Sequence, residues 1–275
     1  MKITYIGGGN MASAMIGGML SQGFKGQDIH VVEPDANKRA ELAQQYGISC
    51  SAPEEALPAS QAIIFAIKPQ QFRTVAQSIL PQLNHALVIS IAAGIRAATI
   101  SQWLGGYQRI VRVMPNTPAL VQAGISGVYA TEHVTDTDKA LTTRILASIG
   151  EQVWVNDESQ MDGITAISGS GPAYVFYLME ALQAAALAQG FDADIANKLA
   201  YQTFAGAVKL ALASPDDAGT LQVKVTSKGG TTERAIQTLQ SHNVRATLIA
   251  AAAAAAARSV ELGDELGRNP EQSEP

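Results

Sequence analysis

The stretch Ile6-Gly7-Gly8-Gly9-Asn10-Met11-Ala12 restricts the fold more than any other part of the chain. It follows a short apolar run, Ile3 to Ile6, that reads as a strand. It precedes Ala12, Met15, Ile16, Met19 and Leu20, which recur at the spacing of one helix face. Strand, glycine turn and helix form the context in which a Gly-x-Gly-x-x-Gly/Ala pattern signifies a dinucleotide cradle. Gly7 permits the tight turn, Gly9 lets backbone approach a pyrophosphate, and Ala12 lets the helix lie close to the sheet. The free N–H groups and positive dipole end of that helix then face the phosphates.

Further apolar runs extend the pattern. Ile29 to Val32 reads as a second strand ending in Glu33, which lies 21 positions past Ala12. An acidic residue at roughly a 20-residue offset meets a ribose 2′-hydroxyl, so Glu33 favours NAD. Lys38 and Arg39, a turn further on, are placed to attract a 2′-phosphate if the loop bends; the plainer alternative makes Glu33 a strand-end surface residue. The runs 62–67, 87–91 and 110–114 are apolar throughout, as strands covered on both faces are. In an open parallel sheet, ligands sit outside the carboxyl ends of the strands. The unusual loops 7–12, 33–35, 68–70, 92–94 and 115–117 all fall there. Short strands at 127–130 and 152–155, flanking a helix from about Asp138 to Ile149, finish the first domain, residues 1–157.

Past about Glu158 strand-like runs stop, and the sequence reads as helices separated by breakers. Ser168-Gly169-Ser170-Gly171-Pro172 opens one that ends near Gly190. Others run from about Asp194 to Leu212, from after Ser227–Thr232, and from Val244 to about Leu262; the tail from Gly263 is expected to fray. These helices are rich in alanine, which buries little area per residue, so residues 158–275 read as a helical dimerisation domain. The expected architecture is a Rossmann-type doubly wound α/β sheet followed by this all-α domain.

Composition narrows the function classes. The net charge of −5, without a basic block, argues against nucleic acid. Charged residues make up 16% of the chain, against about 25% in ordinary soluble domains, and this points to subunit interfaces as well as cores. The alanine-rich uncharged run Thr247 to Ala257 is too short for a bilayer, and Met1-Lys2 leads directly into the first strand, so neither anchor nor leader is expected. A single cysteine, Cys50, suits a reduced compartment. His30, His85, His133 and His242 are scattered without ligand spacing, so no metal site is expected.

The second glycine turn, Ser227 to Thr232, also precedes a helix and forms an anion site away from the nucleotide, for which a carboxylate is a natural guest. Thr231 or Thr232 reads as an N-cap, a hydroxyl donor to a substrate nitrogen, or both, and Lys228 adds local positive charge. Ser168 and Ser170 lack the glycine framing of a hydrolase nucleophile elbow.

Taken together, the segments 6–12, 66–70, 90–94, 112–118, 168–174 and 225–232 resemble those of pyrroline-5-carboxylate reductases, over nearly the whole chain to about Leu262. The resemblance implies reduction of (S)-1-pyrroline-5-carboxylate to L-proline with NADPH or NADH, in the cytoplasm, at an active site built at a dimer interface, with dimers often joined into decamers. By analogy with that family, Thr232 hydrogen-bonds the ring nitrogen, and Ser227, Gly229, Gly230 and Thr231 hold the carboxylate through backbone N–H groups. Ile6, Gly7, Gly8, Gly9, Asn10, Met11 and Glu33 cradle the dinucleotide. Ala66, Ile67, Lys68 and Pro69 adjoin its ribose and phosphate, and Ala92, Ala93 and Asn116 line the nicotinamide. Two rivals are a β-hydroxyacid dehydrogenase, which uses a lysine absent here between Pro172 and Gly190, and a nucleotide sensor without turnover.

Overall fold

The computed structural model describes residues 2–268. They form two compact units: one made of residues up to Ser170 together with those from Ala255, the other of Gly171–Ala254.

The first unit is an eight-stranded sheet of order β3-β2-β1-β4-β5-β6-β7-β8. Strands β1 (Ile3–Ile6), β2 (Ile29–Val32), β4 (Ala62–Phe65) and β5 (Leu87–Ser90) are buried along their whole length, as their largely apolar character requires. All pairings from β3 (Ser49–Ser51) to β6 (Ile110–Met114) are parallel. The sheet then departs from the fully parallel expectation, because β7 (Gly124–Ala130) pairs antiparallel with β6. Only a short connection built on the 3₁₀ turn Thr117–Val121 lies between them. A parallel crossover needs a dozen or more residues, so the chain folds straight back. β8 (Gly150–Val155) then pairs parallel with β7 at the edge.

Five helices connect the strands. They are α1 (Asn10–Ser21), α2 (Ala36–Tyr46), α3 (Pro69–Ile79), α4 (Ala97–Trp103) and α5 (Asp136–Leu146). Met15, Ile16 and Met19 of α1 pack on one sheet face, whereas Phe72 of α3 stacks on Phe65 at 4.5 Å on the other. The chain reverses its winding between β1 and β4, so a crevice opens beyond their carboxyl ends. After β8 a short helix, α6 (Gln160–Ile164), continues into a π-helical turn at Thr165–Gly169.

The second unit holds α7 (Gly171–Ala188), α8 (Ala193–Ala213), α9 (Ala218–Lys224), α10 (Thr231–Ser241) and the start of α11 (Val244–Gly267). Its side chains find little cover in one chain. Phe176, Tyr177 and Leu212 are 62%, 71% and 84% exposed, and its buried apolar residues are the small Ala196 and Ala200. α11 is long and apolar enough, by length and composition, to cross a membrane. It also runs on through Gly267, where the sequence suggests a frayed tail from Gly263, because Ser259 and Gly263 are buried within the first unit. Residues 269–275 of that tail lie outside the described residues.

Candidate active site

The crevice is assembled from backbone. The Gly7 N–H donates to Val32 O at 2.8 Å and the Ala66 N–H to Ile6 O at 2.9 Å, tying the ends of β1, β2 and β4 together. Gly7 has φ +96°, and a Cβ there would stand 2.7 Å from Ala66 O and 2.8 Å from the Ile67 side chain. Glycine is therefore required by both conformation and space. Gly9 differs: a Cβ on it would meet nothing within 4 Å. It is the N-cap of α1, with no side-chain cap, so the first-turn donors of Asn10, Met11 and Ala12 have no intrahelical or capping partner. A diphosphate fits that arrangement, since it needs close backbone approach and unengaged N–H groups.

Glu33 is buried at the end of β2. Its Oε2 accepts the Gly8 N–H at 2.9 Å, and its Oε1 accepts the Asp35 N–H at 3.2 Å. The carboxylate is thus built into the rim of the glycine turn, and the surface-residue alternative does not hold. Lys38 Nζ lies 4.0 Å from Oε2, and the Arg39 guanidinium donates to the carbonyls of Glu33 and Pro34. Arg39 is therefore engaged with backbone on the β2 side.

Ala66 and Ile67 stand beside Gly7; Lys68 is exposed at the N-cap position of α3 without a side-chain cap, and the helix's first residue, Pro69, lacks an N–H to satisfy. After β5, the Ala92 N–H donates to Ser90 Oγ at 3.3 Å, while Ala93 is exposed at the crevice end of the strand. Asn116, after β6, is engaged with its own chain. Its Nδ2 donates to Ser168 O at 3.1 Å and its Oδ1 accepts the Ile125 N–H at 3.0 Å, so its amide braces the π-helical turn against β7.

The second glycine turn also needs correction in detail. Gly230, not a threonine, is the N-cap of α10, and no side chain caps it. The Gly229 N–H already donates to Glu233 Oε2 at 2.7 Å, and the Gly230 N–H to Ser227 O at 3.0 Å. The donors left for an anion are those of the first helical turn, Thr231 to Glu233. Among the described residues neither the Thr231 nor the Thr232 hydroxyl has a hydrogen-bond partner; Thr232 is half-buried, and Ser227 and Lys228 are exposed.

Two features escape a reading of the sequence. Tyr174 Oη is buried without a partner among the described residues, an orphan of the kind that a ligand or partner subunit satisfies. Its only signal is its place at the end of the 168–174 segment. Glu158 accepts both Arg112 Nη1, at 2.5 Å, and the Ala97 N–H, at 2.6 Å, joining β6 to the start of α4. Nothing in its local sequence marks that role.

Comparison with known proteins decides the family. A family model for pyrroline-5-carboxylate reductase dimerisation matches residues 158–262, and one for coenzyme F420-dependent NADP oxidoreductases matches residues 2–94. A pyrroline-5-carboxylate reductase of Pseudomonas aeruginosa is 39% identical over 97% of this chain and 98% of its own length. The chain belongs to the pyrroline-5-carboxylate reductase family. A Pasteurella multocida reductase is 40% identical over 95% of this chain and 97% of its own. The solved reductase of Coxiella burnetii superposes with a TM-score of 0.90 at 39% identity, covering 95% of this chain and 98% of that one. The reductase of Plasmodium falciparum, solved with NADP bound, does so with a TM-score of 0.85 at 30% identity, covering 96% and 98%. In this family the exposed apolar side chains of the second unit belong to a dimerisation region, which also accounts for the apolar face of α11 as far as residue 262.

Proposed function

We propose that the chain reduces (S)-1-pyrroline-5-carboxylate to L-proline, using NADPH or NADH as hydride donor. The observation that carries this reading is the open start of α10, where first-turn N–H groups and two threonine hydroxyls without partners among the described residues coexist with a dinucleotide cradle in the same chain. The substrate is a cyclic imine bearing a carboxylate. Its protonated ring nitrogen already makes the neighbouring carbon electrophilic, so positioning and polarisation contribute most of the catalysis.

In this reading the first-turn N–H groups of α10 hold the carboxylate, and Thr232 Oγ1 hydrogen-bonds the ring nitrogen. Ser227, Gly229 and Gly230 shape the turn that presents them. The turn from Ile6 to Met11 holds the diphosphate, with Glu33 beside the adenosine ribose, Ala66–Pro69 along the chain of the cofactor, and Ala92, Ala93 and Asn116 at its nicotinamide end. Bound NAD(P)H supplies the hydride. The functional division falls between residues 157 and 158, supported by the start of the dimerisation match at residue 158. Self-association is dimeric, with dimers joined into decamers. The location is cytoplasmic, a reading that the single free Cys50 supports.

The β-hydroxyacid dehydrogenase alternative is not favoured, since α7 holds no lysine for its proton abstraction. Substrate-dependent oxidation of NADH and of NADPH by the purified chain tests the proposal. Turnover of pyrroline-5-carboxylate with at least one nucleotide is expected, and none with either would overturn it. Sedimentation velocity tests the assembly, for which a monomer is the contrary result.

A further inference from the structure

We propose that the last turns of α11 position the nicotinamide end of the cofactor bed, with Gly263 and Ser259 as the decisive residues. This rests on reading Ala92–Gly94 as that bed. Ser259 anchors the helix: it is buried, and its Oγ donates to Asp162 Oδ1 at 2.6 Å. One turn on, Gly263 lies against the loop after β5. A Cβ on it would stand 3.2 Å from Gly94 O and 3.4 Å from Arg96 Nε, so the missing side chain sets how closely helix and loop approach.

The loop is shaped to receive the helix. Gly94 has φ +77°, and a Cβ there would stand 3.4 Å from Leu266 Cδ1 and 3.5 Å from Leu262 Cβ. Arg96 pairs with Asp264 at 2.7 Å, and a Cβ on Gly267 would lie 3.3 Å from Thr99 Oγ1. Positions 259, 262, 263, 266 and 267 follow the i, i+3, i+4, i+7, i+8 spacing of a single helix face. That face supports the loop between its two other fixed points, the Ala92 N–H on Ser90 and the Ala97 N–H on Glu158. The glycine turn after β1 has separate supports in Val32, Ala66 and Glu33. The helix therefore acts on the nicotinamide half of the bed and leaves the diphosphate half alone. Gly263 and Ser259 act through the loop and are positioning residues.

Titration of the full-length protein with NADH and with ADP-ribose, which lacks the nicotinamide, separates the two halves. For Gly263→Ala we expect the Kd for NADH to rise roughly fivefold to tenfold, as a small misplacement of a bound group allows. The Kd for ADP-ribose stays unchanged, and the Tm moves little, because alanine's helix propensity offsets the displacement of Gly94. Ser259→Ala shifts the NADH Kd in the same direction by a smaller factor. Equal weakening of both ligands, or of neither, would overturn the proposal. Ala93→Leu, which puts bulk on the bed itself, tests the reading beneath it. If Ala93→Leu binds NADH like the parent protein, the bed lies elsewhere and both readings fail. If it weakens NADH while Gly263→Ala does not, only the positioning role fails.

Discussion

The two glycine turns, Gly7–Gly9 and Ser227–Gly230, end in the same local structure but are supported in opposite ways. Each delivers a glycine to the N-cap of a helix, α1 or α10, and leaves that helix without a side-chain cap. The first is enclosed by its own chain, with β2, β4 and the Glu33 carboxylate around it. Around the second, Ser227 to Gly229 and Thr231 are exposed, in a unit whose large apolar residues are largely uncovered. Other helices close themselves: Asp35, Thr135, Asp192 and Asp217 side chains accept first-turn N–H groups of α2, α5, α8 and α9. The two turns assigned to ligands thus pair an uncapped start with a glycine N-cap, which sets them apart from α3, α4 and α6, whose uncapped starts follow Lys68, Arg96 and Ser159, whereas the closed starts contribute stability. One of the open starts is preformed by a single chain, and the other lies in the region that matches a dimerisation family.

Substitutions test this contrast. The largest effect is expected for Gly7→Ala, because the new Cβ meets Ala66 O at 2.7 Å in a left-handed backbone. Nucleotide affinity should fall by about a hundredfold, read by NADH titration, since the diphosphate bed itself is displaced. An affinity like that of the parent protein would break the claim that the first turn is rigid. Thr232→Ala should lower kcat roughly tenfold to a hundredfold with the fold intact, at the low end of proton-donor effects. An unchanged rate would remove Thr232 from the second site. For Glu33→Ser, the ratio of kcat/KM for NADPH over NADH should rise by about tenfold, in the range of one hydrogen bond to a charged group. No movement of that ratio would mean that Glu33 serves only the glycine turn.

The smallest effects belong to the closed starts. Thr135→Ala removes the capping box of α5 and should cost about 1 kcal/mol in urea unfolding, with both KM values unchanged. Its partner Asp138 adds a pH signature. Burial raises the Asp138 carboxyl, but hydrogen bonds from Arg109 and Thr135 outweigh it and the net shift is downward. A carboxylate held below its ordinary value stabilises the fold fully above about pH 4 and loses that contribution as pH falls through the lowered value. Asp138→Asn should therefore flatten the decline of stability below that pH, and an identical acid profile would contradict the assignment.

The sheet is legible because its central strands are covered on both faces and read as unbroken apolar runs. The run from Ala62 to Ile67 shows both the strength and the limit of that signal: it locates β4, whose pairing ends at Phe65. The cradle is legible because glycine has few substitutes beside a phosphate. Three things are hidden for physical reasons. β3 is three residues of Ser-Cys-Ser, which carry no periodicity, and pairing with β2 alone makes them a strand. The reversal at β7 depends on a connection being short, which hydropathy does not report. The end of α11 is concealed because Gly263 and Asp264 read as a helix stop, whereas the glycine is needed for contact with Gly94. At the site, residue types are legible but hydrogen-bond assignments are not: Asn116, Gly229 and Gly230 are each engaged with their own chain.

Because the first unit is completed by residues 255–268, the compact unit that holds the sheet is not a contiguous stretch of chain. A gene fragment ending at residue 170 would leave bare the surface that Leu262, Gly263 and Leu266 cover. No single cut therefore yields the first unit whole; a truncated form must keep both residues 2–170 and the last turns of α11 that rest on the loop after β5.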